Sequence, residues 1–435
     1  MDFSQFKLSS ALLDAIQSCN YSEPTEIQIK AIDHLIKGKD MQAIAPTGSG
    51  KTAAFTLPII EKLYNKEDTL SNVPKALILV PTRELASQIN ENIKKYAINT
   101  KVQSLVIFGG EKIEPQRKKL QNPLDIVVAT PGRLTEHIKD KSISLDQIEY
   151  LVLDEADTML DMGFSHEIDI IFNALSSKPQ TMLFSATLGE SIKDLSSRVL
   201  EAPVCINVDK KQRATKKINQ FVYFVSRNEK KELISFLIGQ EYLSQFIVFT
   251  RTKEIADEVN EFLQKAGLKS DALHGDKSHA NRMKTINNFK ENHIQVMVAT
   301  DITARGIDIQ GLEYIINYDI PNSVDDYIHR IGRTGRAGRE GNAISLVSSS
   351  EIYSMKVIER KLQFKFKEKK EEGFGQDIRD GVIETPNIIA KKEKSRKTAG
   401  AFGHKKQKKA AGVKKKKTTK RDRGTTGDFQ RGRRK

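Results

Sequence analysis

The stretch Met41-Gln-Ala-Ile-Ala-Pro-Thr-Gly-Ser-Gly-Lys-Thr52 joins a short apolar run to a glycine-containing loop that ends in Lys-Thr. Gly48 and Gly50 allow backbone N–H groups to curl around an anion, and a helix that begins at the end of the loop adds partial positive charge. Lys51 can reach the β- and γ-phosphates of a nucleotide, and the Thr52 hydroxyl can ligate Mg²⁺. Although Ala45 replaces the first glycine of the general pattern, the stretch predicts a strand, a phosphate loop and a helix.

Two adjacent carboxylates follow a second apolar run, residues 148–153, in the tetrad Asp154-Glu155-Ala156-Asp157. A strand ending at 153 would deliver these carboxylates to the edge of a sheet. There, Asp154 can hold Mg²⁺ and Glu155 can orient an attacking water. A solvated acidic turn is disfavoured here because an apolar run precedes the carboxylates. An accidental glycine-rich turn at 45–52 is disfavoured because the loop lies between a predicted strand and a predicted helix, with the acidic tetrad downstream. Together they predict a site that hydrolyses a nucleoside triphosphate.

Arginines recur between glycines in His329-Arg-Ile-Gly-Arg-Thr-Gly-Arg-Ala-Gly-Arg339. A guanidinium group suits the charge that develops on a transferring phosphoryl group. The alternative is a basic loop that binds nucleic acid generically. Because this segment lies in the other half of the chain from the phosphate loop, we expect an arginine that is supplied across a domain interface.

Short β-rich runs alternate with amphipathic stretches in two series. The runs are residues 41–45, 76–80, 105–108, 126–129, 150–153 and 181–184, and, after a polar interruption, 221–225, 246–249, 271–273, 296–299, 314–317 and 343–347. Such alternation predicts parallel sheets covered by helices. Residues 125–130 (Asp-Ile-Val-Val-Ala-Thr) echo residues 295–300 (Gln-Val-Met-Val-Ala-Thr). We therefore predict tandem α/β domains, at 1–208 and 218–364, with a linker at 209–217.

The net charge of +15 is concentrated at the end of the chain. Residues 391–435 contain 20 of the 71 Lys and Arg residues and three of the 56 Asp and Glu residues, which leaves residues 1–390 at a net charge of −2. We predict that residues 365–435 form a disordered basic tail that binds nucleic acid. The alternative for this tail is a solubilising or targeting segment.

The remaining composition excludes several classes of protein. No apolar run approaches the roughly 20 residues that a membrane-spanning helix needs, and the first residues do not resemble a secretory signal. The two cysteines, Cys19 and Cys205, are far apart and are expected to be reduced, which favours a cytoplasmic protein. The eight histidines form no metal-spaced cluster, and His137, His166 and His293 are interpreted as surface residues.

The order of these motifs resembles that of the DEAD-box RNA helicases of superfamily 2, and the resemblance covers most of the chain before the basic tail. Phe3, Tyr21 and Pro24-Thr-Glu-Ile-Gln28 resemble the motif that recognises adenine. The resemblance implies two RecA-like domains, ATP and Mg²⁺ as cofactors, and RNA-stimulated ATP hydrolysis that opens short duplexes or remodels RNA–protein complexes. The implied catalytic residues are Lys51, Thr52, Asp154, Glu155, Arg333 and Arg336, with Mg²⁺ on Thr52 and Asp154. The implied nucleotide-binding residues are Tyr21, Gln28, Thr47, Gly48, Ser49, Gly50, Lys51, Thr52 and Asp308.

The same resemblance implies further roles. The residues that would hold the RNA backbone are Arg83, Gly110, Thr130, Arg133, Arg251, Arg282 and Thr300, and those that would couple hydrolysis to strand separation are Asp157, Ser185, Thr187 and His329. One departure concerns Gln-x-x-Arg, which many members carry after His-Gly-Asp. Here His274-Gly-Asp276 is followed by His279-Ala-Asn-Arg282. Arg282 is retained and is expected to grip phosphate, whereas the contribution of position 279 stays open.

Other interpretations of the sequence remain open. They are a DNA-directed helicase of the same superfamily and an ATP-gated RNA clamp with little unwinding; a motor-dead scaffold is disfavoured because the implied catalytic residues are all present. Among bacterial members the chain looks most like the RhlE group. We expect a monomer, with ribosomal or RNA-decay proteins as partners and ribosome biogenesis among the candidate pathways.

Overall fold

Seven parallel strands form a sheet in the first half of the chain, in the order β3-β4-β2-β5-β6-β1-β7. They are β1 (Met41–Ile44), β2 (Ala76–Leu79), β3 (Ser104–Ile107), β4 (Ile126–Ala129), β5 (Tyr150–Leu153), β6 (Gln180–Ser185) and β7 (Val204–Asn207). Successive side chains of a strand point to opposite faces. Accordingly, Ala76 and Ile78 belong to one buried cluster, and Leu77 and Leu79 belong to the other. A sheet that is apolar on both faces needs helices on both.

The computed structural model describes residues 2–46, 48–66, 71–208, 218–241, 245–304, 309, 312–335 and 341–375. Within the first half, a 3₁₀ turn (Phe3–Gln5) precedes the helices. These are α1 (Ser10–Ser18), α2 (Glu26–Ile36), α3 (Lys51–Tyr64), α4 (Arg83–Tyr96), α5 (Ile113–Leu120), α6 (Pro131–Lys139), α7 (Ala156–Asp161), α8 (Ser165–Asn173) and α9 (Glu190–Val199). In the described parts of the chain, no helix has the length and apolar character needed to cross a bilayer.

A second sheet of seven parallel strands has the order β10-β11-β9-β12-β13-β8-β14. Its strands are β8 (Ile218–Phe224), β9 (Phe246–Thr250), β10 (Ser270–Leu273), β11 (Val296–Thr300), β12 (Tyr314–Asn317), β13 (Gly341–Val347) and β14 (Lys367–Lys369). The described helices are α10 (Lys230–Glu241), α11 (Lys253–Lys265), α12 (His279–Lys290), α13 (Asp301–Ala304), α14 (Val324–Ile331) and α15 (Ile352–Leu362), with a 3₁₀ turn (Ser349–Glu351) before the last.

The two sheets have the same topology, because each strand of the second occupies the place of the strand seven earlier. The sequence echo between residues 125–130 and 295–300 falls on β4 and β11, which are equivalent strands. A second, shorter echo pairs Leu79-Val-Pro-Thr-Arg83 with Val248-Phe-Thr-Arg251, at the carboxyl ends of β2 and β9, which are also equivalent. The prediction of tandem parallel α/β domains is therefore confirmed. The linker at 209–217 lies outside the described residues and stays a prediction.

Two edge strands, β7 and β14, were absent from the predicted series, and β14 changes a predicted boundary. The second domain was expected to end at 364, yet Lys367–Lys369 pairs with β8 in parallel register. Phe366 is buried and its ring lies 5.6 Å from that of Tyr327, while Lys369 Nζ lies 4.3 Å from the centroid of the Phe221 ring. The boundary at 364 is therefore too early, because one buried aromatic residue holds a polar edge strand on the sheet.

We predict that a chain ending at 364 is less stable than a chain ending at 375. The shorter chain loses Phe366 and the pairing of β14 with β8, and loss of a buried Phe costs about 3–5 kcal/mol. For a domain of this size, in which 1 kcal/mol shifts the thermal midpoint by about 2–4 °C, the midpoint should fall by roughly 6–20 °C, measured by differential scanning calorimetry. Equal midpoints for the two chains would contradict the assignment of β14 to the domain.

Candidate nucleotide and RNA site

The phosphate loop lies between β1 and α3, as its sequence predicts. Gly48 and Gly50 have φ of +73° and +92°, a conformation that glycine adopts readily. Lys51 begins α3, is buried, and donates from Nζ to the carbonyl oxygen of Ala45 at 3.0 Å. Thr52 is partly exposed beside it. The loop thus directs an ammonium group and a helix N-terminus towards one cavity.

Gln28 connects α2 to this loop. Its Oε1 accepts from Thr25 N at 2.9 Å, and its Nε2 donates to the carbonyl oxygen of Gly50 at 3.1 Å. Tyr21 is 40% exposed. Its hydroxyl shares a hydrogen bond with the Tyr96 hydroxyl at 3.0 Å, and its ring stacks against that of Phe3 with 6.4 Å between the centroids. The predicted adenine pair therefore flanks the phosphate loop, with the Tyr21 ring open to a ligand.

Asp154 and Glu155 follow β5 and are both buried. Glu155 has φ of +51°, a costly conformation for a residue with a Cβ atom. Burial raises the pKa of Asp154, against the opposing charge of Lys51. Burial likewise raises the pKa of Glu155 to about 7, again opposed by Lys51. Two buried carboxylates beside one ammonium leave negative charge uncompensated, so oxygen ligands here fit a divalent cation such as Mg²⁺.

A cavity of about 470 Å³ unites these residues. From the first domain its walls include Tyr21, Gln28, Gly50, Lys51, Thr52, Asp154 and Glu155. Lys290, at the end of α12, contributes from the second domain. Six of the predicted nucleotide-binding residues therefore share one cavity that both domains line: Tyr21, Gln28, Gly48, Gly50, Lys51 and Thr52.

Arg333 belongs to the second domain and is buried after α14. Its positive charge is among the groups that lower the pKa of Glu155 against the effect of burial, so its guanidinium lies within electrostatic reach of that carboxylate. The neighbouring Arg330 has a different role, because it donates from Nε and Nη2 to Asp301 at 2.5 and 2.7 Å and holds α14 on its own domain.

Asp157 brings the predicted coupling residues together. Its Oδ2 accepts from Ala186 N at 3.0 Å, from Thr187 N at 2.9 Å and from the Thr187 hydroxyl at 3.1 Å. Ser185 donates to the Thr187 carbonyl oxygen at 2.7 Å. Burial alone would raise the pKa of Asp157, yet the pKa is lowered because the charges of His329 and Lys51 stabilise the carboxylate, together with hydrogen bonds from the Ser185 side chain and the Thr158 N–H. His329 of the second domain thus lies within electrostatic reach of Asp157, which bonds to the 185–187 turn.

Several predicted RNA residues cluster where β2, β3 and β4 end. The guanidinium of Arg83 lies over the Cα of Gly110, which has φ of +81°. Thr130 is the N-cap residue of α6, and Arg133 Nη2 donates to the carbonyl oxygen of Glu111 at 2.9 Å. In the second domain, Arg251 directly follows β9, and Thr300 is the last residue of the neighbouring strand β11. Arg251 Nη2 donates to the Ile320 carbonyl oxygen at 3.1 Å.

The structure corrects the expectation for Arg282. We expected its guanidinium to grip RNA phosphate, but it is buried and bonds to Oε1 of Glu84 in the first domain, at 2.8 Å from Nε and with a second contact from Nη2. Burial would raise the pKa of Glu84, but His279 and Arg282 together lower it to about 2. Arg282 is therefore an interdomain ion-pair residue, since its guanidinium is engaged by a buried carboxylate.

Three further outcomes concern single residues. His137 was interpreted as a surface residue but is fully buried, with Nε2 3.2 Å from Gln116 Oε1 and Nδ1 2.7 Å from the Ser142 hydroxyl. The predicted site residues Thr47, Asp308 and Arg336 lie outside the described residues. Sequence reasoning also missed Glu84, whose only signal was its place directly after Arg83 at the start of a helix that follows a strand.

Comparison with known proteins places this site in a family. The DEAD/DEAH box helicase family model matches residues 25–195, and the helicase conserved C-terminal domain matches residues 229–338. The chain is 42% identical over 357 residues to ATP-dependent RNA helicase CshA of Listeria monocytogenes, covering 82% of this chain and 68% of that protein. It is 40% identical over 349 residues to RhpA of Helicobacter pylori, covering 80% and 70%.

This chain belongs to the DEAD-box family of ATP-dependent RNA helicases. Its structure is also similar to that of S. cerevisiae Dbp5 bound to RNA and ADP-BeF₃, with a TM-score of 0.76 and 29% identity over 85% of this chain and 95% of the other. The two tandem domains are therefore RecA-like, and the family resemblance read from the motifs is confirmed.

We predict that Gly50→Ala weakens ATP binding by tenfold or more. A Cβ at this position would lie 2.6 Å from Gln28 Nε2 and 2.8 Å from the Thr25 hydroxyl, and φ is +92°, so the phosphate loop must shift. Titration with a fluorescent ATP analogue measures the change. Gly189→Ala is the control, because its nearest neighbour would be 3.9 Å away, and equal affinity of both variants would contradict this geometry.

Proposed function

We propose that this DEAD-box helicase hydrolyses ATP with Mg²⁺ at the cavity between its domains, and that RNA binding favours the closed arrangement in which hydrolysis occurs. The observation that carries the proposal is the electrostatic reach of Arg333, in the second domain, to Glu155, in the first. An arginine supplied from a second body stabilises charge on a transferring phosphoryl group.

Each group has a defined task in this proposal. Lys51 and the loop amides bind the β- and γ-phosphates, and Thr52 and Asp154 would hold Mg²⁺, which supplies charge neutralisation at the phosphates. Glu155 orients the attacking water. Its pKa, raised to about 7 by burial, is lowered when positive charge enters the cavity. Arg333, with Arg336 as a proposed partner, then meets the charge of the transition state.

RNA recognition is proposed to be independent of base sequence. Guanidinium, hydroxyl and backbone groups at Arg83, Gly110, Thr130, Arg133, Arg251 and Thr300 suit phosphates and sugars, and contacts of this kind position a strand without reading it. The 2′-hydroxyl would distinguish RNA from DNA. Closure that bends one strand would then open a few base pairs, and release of phosphate would free the strand.

The cellular setting is proposed from the same observations. We propose a cytoplasmic monomer of the RhlE type that acts in ribosome biogenesis or RNA decay, with proteins of those assemblies as partners. The near-neutral body and the strongly basic residues 391–435 support an enzyme whose tail holds it near RNA.

We predict that Glu155→Gln lowers RNA-stimulated ATP turnover at least a hundredfold while nucleotide binding persists. Glutamine keeps the shape of the side chain but cannot accept a proton from the attacking water, and such groups typically contribute 10²–10⁴-fold. Phosphate release in the presence of RNA measures turnover. The exposed Glu190→Gln is the control, and undiminished turnover in Glu155→Gln would remove the role given to this residue. A duplex-unwinding assay on the wild-type chain separates a helicase from an RNA clamp.

We predict that removal of residues 391–435 weakens RNA binding and flattens its dependence on salt. The segment has a net charge of +17, and each phosphate contact on a single strand contributes a slope of about 0.7. Fluorescence anisotropy between 50 and 200 mM salt measures both quantities. Replacing only the lysines at 414–417 by glutamine should give a smaller change of the same sign. An unchanged affinity and slope would favour a solubilising or targeting role.

A further inference from the structure

His279 is the one position of the His-Ala-Asn-Arg segment for which the family pattern gives no role. It is the first residue of α12 in the second domain, and its side chain is 15% exposed. Its described side-chain contacts are with the first domain. Its ring centroid lies 4.6 Å from that of Phe108, at an interplanar angle of 49°, and its Nδ1 lies 3.5 Å from Oε1 of Glu84.

We propose that His279 is a positioning residue that fixes the RNA-facing surface of the first domain when the domains close. The proposal rests on the proposed function, because it concerns how RNA and closure are linked. Glutamine, the residue that many members carry here, could donate to Glu84 but offers no ring to Phe108. The inferred device is therefore the aromatic contact of His279 with Phe108, beside its polar approach to Glu84.

The polar half of the contact places the imidazole of His279 beside the carboxylate of Glu84. The pKa of Glu84 is lowered to about 2, so the carboxylate is charged at neutral pH. Nδ1 of His279 is buried and makes no hydrogen bond with the described residues, so its 3.5 Å approach to Oε1 is a polar contact that is longer than a hydrogen bond. Arg282 occupies the same Oε1 from the same helix, and His279 and Arg282, one helical turn apart, approach one anion together. The Oε2 atom of Glu84 accepts no hydrogen bond from the described residues, and the described side-chain hydrogen bonds to its Oε1 come from Arg282.

The apolar half reaches a different segment. Phe108 is 5% exposed and directly precedes Gly109 and Gly110. Tilted aromatic pairs at this separation contribute favourably beyond their buried area. Because Gly110 lies beneath the Arg83 guanidinium, a shift of Phe108 is transmitted to the residue on which that guanidinium rests.

These two contacts converge on neighbouring parts of one surface. Glu84 adjoins Arg83 along α4, and Phe108 adjoins the glycine pair after β3. One side chain of the second domain thus contacts the residues that adjoin both predicted RNA-facing segments of the first. The consequence is that RNA affinity in the closed state depends on the His279 ring, whereas the ATP-binding loop, built from residues 45–52, does not contain or contact it in the described structure.

The test compares His279→Ala, His279→Gln and His279→Phe in RNA-stimulated ATPase assays. The half-saturating RNA concentration of His279→Ala should rise about tenfold, equivalent to about 1.4 kcal/mol, while kcat at saturating RNA changes less than twofold. Glutamine restores only the polar contact and phenylalanine only the aromatic one, so each should recover part of the loss. His293→Ala is the matched control, because His293 is 65% exposed and pairs only with nearby Glu291 among the described contacts.

A double-mutant cycle separates this contact from a general loss of folding. Phe108→Leu keeps an apolar side chain without the aromatic ring. The rise in half-saturating RNA concentration of the double variant Phe108→Leu/His279→Ala should be smaller than the product of the rises in the two single variants. Independent effects, or a half-saturating RNA concentration of His279→Ala equal to that of the wild type, would overturn the proposal. If the wild-type chain showed no RNA-stimulated hydrolysis, the proposed function would fail instead, and the two failures are thereby distinguished.

Discussion

The buried carboxylates at the end of β5 impose the constraint on which the site depends. Asp154 and Glu155 lie among apolar neighbours with Lys51 as the principal cation of their own domain, and burial raises the pKa of both. Such charge is stable only when more positive charge approaches. Arg333 of the second domain supplies part of this positive charge, and in our proposal a cation bound to the phosphates would supply the rest. The charge balance of the site therefore depends on how closely the domains approach.

A second charged contact joins the domains on the RNA side. Glu84, buried at the start of α4, is neutralised by Arg282 of the other domain. A buried ion pair of this kind contributes little net stability, but removing only one of its two partners is strongly destabilising because the other charge is left buried and unpaired. The Glu84–Arg282 pair therefore suits an interdomain interface that forms in one geometry and in which both partners return to solvent together when the domains separate. Glu155 and Glu84 of the first domain are thus each approached by an arginine of the second domain.

Much of this arrangement could be predicted from the sequence, because local rules act on it directly. The two sheets followed from apolar runs buried on both faces, and the phosphate loop from Gly48, Gly50 and Lys51 at fixed spacing. The prediction failed where contacts between residues far apart in sequence determine whether a segment is paired or a side chain is buried. The strand β14 is polar and is held by Phe366 packing on Tyr327, and His137 looks like any surface histidine until Gln116 and Ser142 enclose it.

Arg282 shows the same limit within the site. A motif can place an arginine on a helix, but only the packed domains decide whether its guanidinium meets RNA phosphate or the carboxylate of Glu84, 198 residues away in sequence. Conversely, the roles of Asp157 and His329 as a link between domains were implied by family resemblance and are consistent with the charge coupling between them.

The most direct test of the account measures the distance between the domains while ATP is hydrolysed. Single-molecule energy transfer can be recorded with dyes on cysteines placed at the exposed positions Ser197 and Lys265, in a chain whose Cys19 and Cys205 are replaced by serine. We predict that RNA and ATP together raise the population of the closed state, that either alone does so far less, and that turnover rises in proportion to that population. An RNA-stimulated turnover that rises while the interdomain distance distribution stays constant would contradict the claim that closure completes the site.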